Sequence, residues 1–422
     1  MILLTLFVAL LFAALGVPLF VILGTVVALA LYASDIPLVV MAQRMFTTTD
    51  SFPLMAIPFF ILAGALMTKG GIARRLIDLA KAAVGWLPSG LAIATVAACV
   101  LFAAISGSSP ATLVAIGTLM YPAMVRDHYS QDFSLGLVTT SGSLGILIPP
   151  SIPMIIYAIV VGVSVSDLFI AGVGPGLLIG VLLVVYSLIR NRGRGEHRLP
   201  FSLSLLLSRF REGMWAVLLP VVILGGIYGG IFTATEAAAV AVVYAFIVEV
   251  FIHRETSLKK IPEIFVGSAV DLGTILVIIA VAMSLSWLLT AQYVPQTLAE
   301  WISNHIHTQW GFLLALNILL LVTGCLMDII SAILILAPLT APIARQMGVD
   351  PIHLGIIYIV NLEIGYLTPP IGINLFVSSI VFDKPVVRVI RSVIPFLGVM
   401  LLGLFWVTYF PSISLWLVHT LK

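Results

Sequence analysis

Two Pro-Pro pairs, each set a few residues after a glycine in apolar sequence, are where this chain is best equipped to hold an ion. They stand in Gly142-Ser143-Leu144-Gly145-Ile146-Leu147-Ile148-Pro149-Pro150-Ser151 and in Glu363-Ile364-Gly365-Tyr366-Leu367-Thr368-Pro369-Pro370-Ile371-Gly372. Two consecutive prolines remove two N–H donors and expel the preceding residue from α geometry, which frees carbonyls about one turn upstream. Freed carbonyls and nearby hydroxyls are ligands for Na+, while the N–H groups opening the next half-helix attract an anion. Small and polar residues recur in Ser106-Gly107-Ser108-Ser109-Pro110, in Thr323-Gly324-Cys325 and from Asp328 to Ser331. The expected chemistry is two Na+ sites: one around Ser106, Ser108, Gly145, Ile148 and Pro150, partly through carbonyls, the other around Gly324, Asp328, Gly365 and Thr368. Asn374 lies four residues after Pro370, in the first turn or so of a half-helix, where an amide can donate to a substrate carboxylate together with Ser108 and Ser109. Its counterpart in the other half is Met154. That asymmetry suits a substrate that binds once beside cations that bind twice; the alternative is that Asn374 bonds a neighbouring backbone carbonyl.

The remaining candidates divide by context. Asp328, among Leu326, Met327, Ile329 and Ile330, is a carboxylate in an apolar tip and is read as a cation ligand. Glu363 either lines the same cavity or makes a structural hydrogen bond beside Asn361. Thr233-Ala234-Thr235-Glu236 is a capping box opening a helix. Gly172, Gly176 and Gly180, spaced by four, form a close packing face. The histidines lie near segment ends or in loops, and Cys99 and Cys325 read as packing residues. The sequence contains no H-E-x-x-H, no G-x-S-x-G and no G-x-x-x-x-G-K-[ST], so metal hydrolysis, serine-hydrolase chemistry and self-contained ATP-driven pumping lack their equipment, and the chain reads as no enzyme. An intramembrane protease built on Ser106–Ser109 lacks a basic partner. No basic patch for nucleic acid is present.

The elements that must position these residues follow from composition. Of 422 residues, 61% are apolar and 9% charged, against roughly 25% charged in soluble domains; mean hydropathy is +1.21. The chain is an all-α polytopic membrane protein, its apolar runs being as long as a bilayer-crossing helix. Runs fall near 2–32, 51–68, 91–124, 133–163, 168–190, 213–231, 236–252, 264–290, 311–343, 352–382 and 393–418. Runs 91–124 and 311–343 are too long for one crossing and too short for two, which suits re-entrant hairpins; 133–163 and 352–382 carry the Pro-Pro breaks. Arg190, Arg192, Arg194, Arg198, Arg209 and Arg211 mark 191–212 and its flanks as a cytoplasmic basic loop. At an offset of 220, Gly145, Pro149 and Pro150 face Gly365, Pro369 and Pro370, and Pro122 faces Pro342, so 1–190 and 213–422 read as two repeats. Charge parity makes them inverted, provided that 2–32 holds two short crossings broken at Gly16-Val17-Pro18. A single tilted helix there would undo that assignment.

With these residues in view, the chain resembles the large permease (M) subunit of tripartite ATP-independent periplasmic, or TRAP, transporters of the C4-dicarboxylate and organic-acid type. The resemblance covers essentially the whole length and rests on Ser106-Gly107-Ser108, Gly145-Ile146-Leu147-Ile148-Pro149-Pro150-Ser151, Thr235-Glu236-Ala237-Ala238 and Gly365-Tyr366-Leu367-Thr368-Pro369-Pro370. The family's more usual Thr-Pro-Thr-Glu-Ala reads Thr233-Ala234-Thr235-Glu236-Ala237 here. The resemblance implies an elevator-type secondary transporter of the bacterial inner membrane that imports an organic acid (a C4-dicarboxylate, sialic acid or another sugar acid) with Na+. It also implies two partners, a small four-helix membrane subunit and a periplasmic substrate-binding protein. The hairpins and broken helices would move as a transport domain, with 2–32, 168–190, 213–252 and 393–418 as scaffold and 70–88 and 293–309 as amphipathic arms. A stand-alone ion-coupled anion transporter without partners is the competing expectation. Moving an anion against the potential costs about 2.3 kcal/mol per charge per 100 mV, so two Na+ make dicarboxylate import electroneutral.

Overall fold

The computed structural model describes residue 8, residues 11 and 12, residues 15–192 and residues 200–421. Most of the first half of the 2–32 run, with the crossing read there, lies outside the described residues, as do Arg194, Glu196 and Arg198 of the basic loop. Every regular element among the described residues is helical. Among the described residues, seven helices are long and apolar enough to cross a membrane, or up to nine if each of two bent pairs is one span. Large apolar side chains such as Val181, Val221, Val270, Ile318 and Leu402 face outward, which in lipid is a solvated surface.

Two helical hairpins stand at the centre. The first pairs Gly90–Ser106 with Ser109–Arg126 and the second Gln309–Leu326 with Ile329–Gln346; the ends Ser106 and Leu326, like Arg126 and Gln346, stand 220 residues apart. Arms of 17 and 18 residues reach about 25–27 Å, slightly less than the hydrocarbon core. The first tip turns at Gly107, whose φ of +57° a side chain would resist, and Ser108 then caps the next helix by accepting from the Ala111 N–H. At the second tip Met327 is extended and Asp328 is the cap.

The Pro-Pro pairs interrupt helices as their chemistry demands. In the first half, Gln131–Ser141 and the short turn Leu144–Leu147 give way to extended backbone at Ile148, and the helix resumes at Ile152–Val161. Axes on either side of this break differ by 42°. In the second half, Pro351–Tyr366 stops before the prolines and Ile373–Val381 follows.

Two expectations are corrected. The segment read as 51–68 is preceded by a helix of its own, Val39–Thr49, at 62° to the following one. Its polar residues hid it, and tertiary contacts hold it: Ser284 Oγ donates to the Met41 carbonyl at 3.3 Å, and the Arg44 guanidinium sits 4.7 Å above the Trp287 ring. Segments 168–190 and 393–418, expected in the scaffold, pack into the central bundle instead. The glycine face of Val165–Arg190 lies on the first broken helix and first hairpin: a Cβ on Gly172 would meet the Leu147 carbonyl at 3.1 Å, and one on Gly180 would meet Val100 at 3.5 Å. Val386–Tyr409 is fastened by Arg388 to Asp132 at 2.7 Å, by Phe396 against Phe133, and by Thr408 to Asn317 at 3.2 Å and to His353 at 3.1 Å. The outer group comprises Leu19–Ala33, Val39–Thr49, Ala56–Lys69, Leu203–Tyr228, Ala234–Ile247 and Ile261–Ala291, which pack on one another. Thr233 and Glu236 form the capping box that opens Ala234–Ile247.

Between the groups run two short helices, Ile72–Val84 and Val294–His305, within the stretches read as arms. Ile72, Leu76, Ile77 and Ala80 are buried on the first, opposite charged Arg74, Asp78 and Lys81. It starts at Gly70-Gly71, glycines that let the carboxylates of Glu249 and Glu255 approach the backbone closely. Glu255 accepts from the Gly71 N–H and from Arg75 at 2.6 Å, and the Arg75 guanidinium holds its carboxyl below the usual range.

Candidate functional site

The first hairpin tip and the first Pro-Pro break meet. Ser106 Oγ and Thr112 Oγ1 are 2.7 Å apart, and the Thr112 hydroxyl is 2.9 Å from the Ser108 carbonyl it donates to. Gly145 lies so close to the Ser108 carbonyl that a Cβ would overlap it, and a Cβ on Gly107 would stand 2.8 Å from the Pro150 carbonyl. Ser106, Ser108, Gly145 and Pro150 are therefore brought together, with two carbonyls and two hydroxyls around one junction. The Ile148 side chain packs with Ala103 and Ala104. Two residues here escaped the sequence reading. Thr112 stands four after Ser108, one helical turn, which is the signal that would have found it. Ser151, directly after the prolines, is buried, and its hydroxyl has no partner among the described residues.

The second tip and second break meet through glycine. A Cβ on Gly324 would lie 3.2 Å from the Gly365 Cα, and one on Gly365 would overlap the Gly324 backbone. The Ile371 N–H, just past the prolines, donates to the Cys325 carbonyl at 3.2 Å, and Thr368 Oγ1 donates to the Ile364 carbonyl at 2.8 Å. Asp328 is occupied otherwise. Its two carboxylate oxygens accept from the Ser331 N–H, at 2.9 Å, and from the Ser331 hydroxyl, so it works as a helix cap. No hydrogen bond joins it to Gly324, Gly365 or Thr368.

A third cluster links the halves. Glu363 Oε1 accepts from Ser109 Oγ at 2.6 Å and from Asn374 Nδ2 at 3.1 Å, and that amide also donates to Ser109 Oγ at 2.7 Å. All three side chains are fully buried, while Glu363 Oε2 and Asn374 Oδ1 have no partner among the described residues. Asn374 thus bonds side chains of the opposite tip and of its own broken helix. Asn361 turns away, donating to Asn317 Oδ1 at 2.7 Å and to the Ile357 carbonyl at 2.8 Å. A buried carboxylate oxygen without a partner is costly unless a proton or cation meets it.

Beside the first tip lies a cavity of about 510 Å3, whose polar lining is Ser106, Ser108, Thr68, Thr274 and Asp271. That volume suits a small ligand. Asp271 was missed in the apolar run 264–290, where its being the lone charge was the available signal. Among the described residues no three His, Cys, Asp or Glu side chains gather as a metal cluster, and the oxygen donors at the first break are hydroxyls and carbonyls.

Helices broken inside an apolar bundle, with their ends meeting around oxygen donors, define a polytopic membrane protein with an interior polar site, the construction of secondary transporters. Comparison gives the family: residues 4–413 match the tripartite ATP-independent periplasmic transporter, DctM component, and the chain belongs to that family. It is thus a transporter permease and not an enzyme. It is 49% identical over 376 residues to the C4-dicarboxylate TRAP transporter large permease protein DctM of Pseudomonas aeruginosa, covering 89% of this chain and 88% of the relative. It is 42% identical over 409 residues to the isethionate TRAP transporter permease protein DctMQ of Oleidesulfovibrio alaskensis, covering 96% of this chain and 64% of that longer protein. The crystal structure of the Alcanivorax borkumensis YdaH transporter has a similar fold, with a TM-score of 0.59 over 90% of this chain and 88% of that one, at 13% identity.

Proposed function

We propose that this chain is the large membrane subunit of a Na+-coupled symporter of the bacterial inner membrane, importing an organic acid that a periplasmic binding protein delivers. A small four-helix subunit accompanies it. The observation that carries the ion reading is the first junction: hydroxyls of Ser106 and Thr112 and carbonyls of Ser108 and Pro150 supply the hard oxygen donors that suit Na+. The second site is proposed at Gly324, Gly365 and Thr368, with Asp328 contributing mainly by fixing the helix start. Ser108, Ser109 and Asn374 form the proposed substrate contact, with Glu363 as the carboxylate that orients Ser109 and Asn374, and the two halves act as inverted repeats whose hairpins and broken helices travel as an elevator against the outer helices.

C4-dicarboxylates are the first substrate class to test, because the Pseudomonas relative is named for them. The test is uptake of labelled succinate into proteoliposomes containing both membrane subunits. Uptake is expected to need an inward Na+ gradient and the binding protein together. Equal uptake with K+ in place of Na+ overturns the coupling, and equal uptake of free substrate without the binding protein overturns the tripartite reading.

A further inference from the structure

Asp271 is the only charged residue of helix Ile261–Ala291 after its first turn. It lies about 15 Å along that helix, well inside a span of mean hydropathy 2.4. A carboxylate at such depth belongs beside other polar groups rather than in lipid, and Asp271 lines the cavity of about 510 Å3 beside Ser106 and Ser108, whose wall is otherwise largely apolar, with Ile61, Ala65, Ala111, Ile152 and Ile275. Its side chain is exposed, and no described group hydrogen-bonds or ion-pairs with it.

The rest of the lining fixes the kind of ligand. Thr274 Oγ1 donates to the Val270 carbonyl at 3.2 Å and Thr68 Oγ1 to the Gly64 carbonyl at 2.6 Å. A hydroxyl whose only proton is committed in this way offers a visitor lone pairs. Among the described side chains, no Lys, Arg or His lines the cavity. A half-open cleft with low-dielectric apolar walls, one negative charge and acceptor-only hydroxyls concentrates cations and repels an organic anion.

We propose that Asp271, Thr68 and Thr274 form a cation-collecting site, from which Na+ passes across the same cavity to the cluster at Ser106 and Ser108. The proposal rests on the Na+-coupled reading. The carboxylate sits on a helix of the outer group while the cluster sits on the hairpin tip, so Asp271 recruits the ion and does not travel with it. It is a positioning residue, and its effect belongs to the Na+ dependence.

The experiment is Na+-titrated uptake by wild type, Asp271→Asn and Asp271→Glu in proteoliposomes, paired with equilibrium 22Na+ binding to purified protein without substrate. Asp271→Asn is expected to raise the half-saturating Na+ concentration about three- to tenfold in both measurements. The maximal rate should move less, and Asp271→Glu should recover most of the shift. Wild-type uptake that ignores Na+ overturns the coupling and this proposal together. Wild-type Na+ dependence with an unchanged half-saturation in Asp271→Asn overturns the Asp271 assignment alone, as does a fall in maximal rate with both Na+ constants unaltered.

Discussion

Glu363 accepts two hydrogen bonds on one oxygen and none on the other, and Asn374 donates to both members of the pair it joins. Replacing Asn374 by leucine removes one donor from a buried carboxylate, a loss on the order of 1–3 kcal/mol. Ser109 still donates in that variant, and the Ser106–Thr112 cluster does not touch Asn374. Asn374→Leu is therefore expected to abolish substrate-dependent transport while 22Na+ binding without substrate persists; loss of both shows Asn374 to be a strut. The partnership of Ser109 with Asn374 was legible because both follow breaks that the sequence announces through proline and glycine. Asp328 carries a second role that its apolar surroundings do not advertise: Asp is a favoured helix cap, and Ser331 stands at the capping distance. Nothing in the one-dimensional pattern says which wall of a cavity Asp271 faces.

At the scale of elements, the hairpins and broken helices were readable from length and from residues that cannot continue a helix. Their neighbours were not. Hydropathy shows that 168–190 and 393–418 are helices, and the spacing of Gly172, Gly176 and Gly180 shows that something packs closely there, but neither names the partner. The helix Val39–Thr49 was lost for the opposite reason, since contacts with Ile261–Ala291 stabilise a short segment of mixed composition, in which Gln43, Arg44 and three threonines interrupt the apolar residues. The glycine contact between second tip and second break gives a direct test of fit. In Gly365→Ala the added methyl overlaps the Gly324 backbone, and overpacking of this kind costs about 1–3 kcal/mol. Gly225→Ala serves as the control, because nothing lies within 4 Å of its Cβ position and alanine is the better helix former. Thermal unfolding in detergent is expected to show a lower midpoint for Gly365→Ala and no loss for Gly225→Ala. Equal midpoints for Gly365→Ala and wild type would show that the two backbones can part without cost.

Across the whole molecule, hydropathy and charge placement were sufficient for an all-helical membrane protein, and family membership supplies the rest of the setting. The feature with the widest consequence is the set of polar links between the halves. Ser109 reaches Glu363 and Asn374, Thr139 Oγ1 lies 2.8 Å from Ser378 Oγ, and Tyr157 donates to the Pro351 carbonyl at 2.9 Å. All lie in buried surroundings where a broken link leaves a donor or acceptor stranded, so the two proposed ion sites are mounted on one block. A block that travels as the proposed elevator cannot make half a crossing. Ions and cargo should then keep a fixed ratio whatever the load, and a vesicle held at zero membrane potential until net uptake stops should hold substrate at the transmembrane Na+ ratio raised to a whole-number power. A fractional exponent that drifts with substrate concentration would mean that the block comes apart and the machine slips.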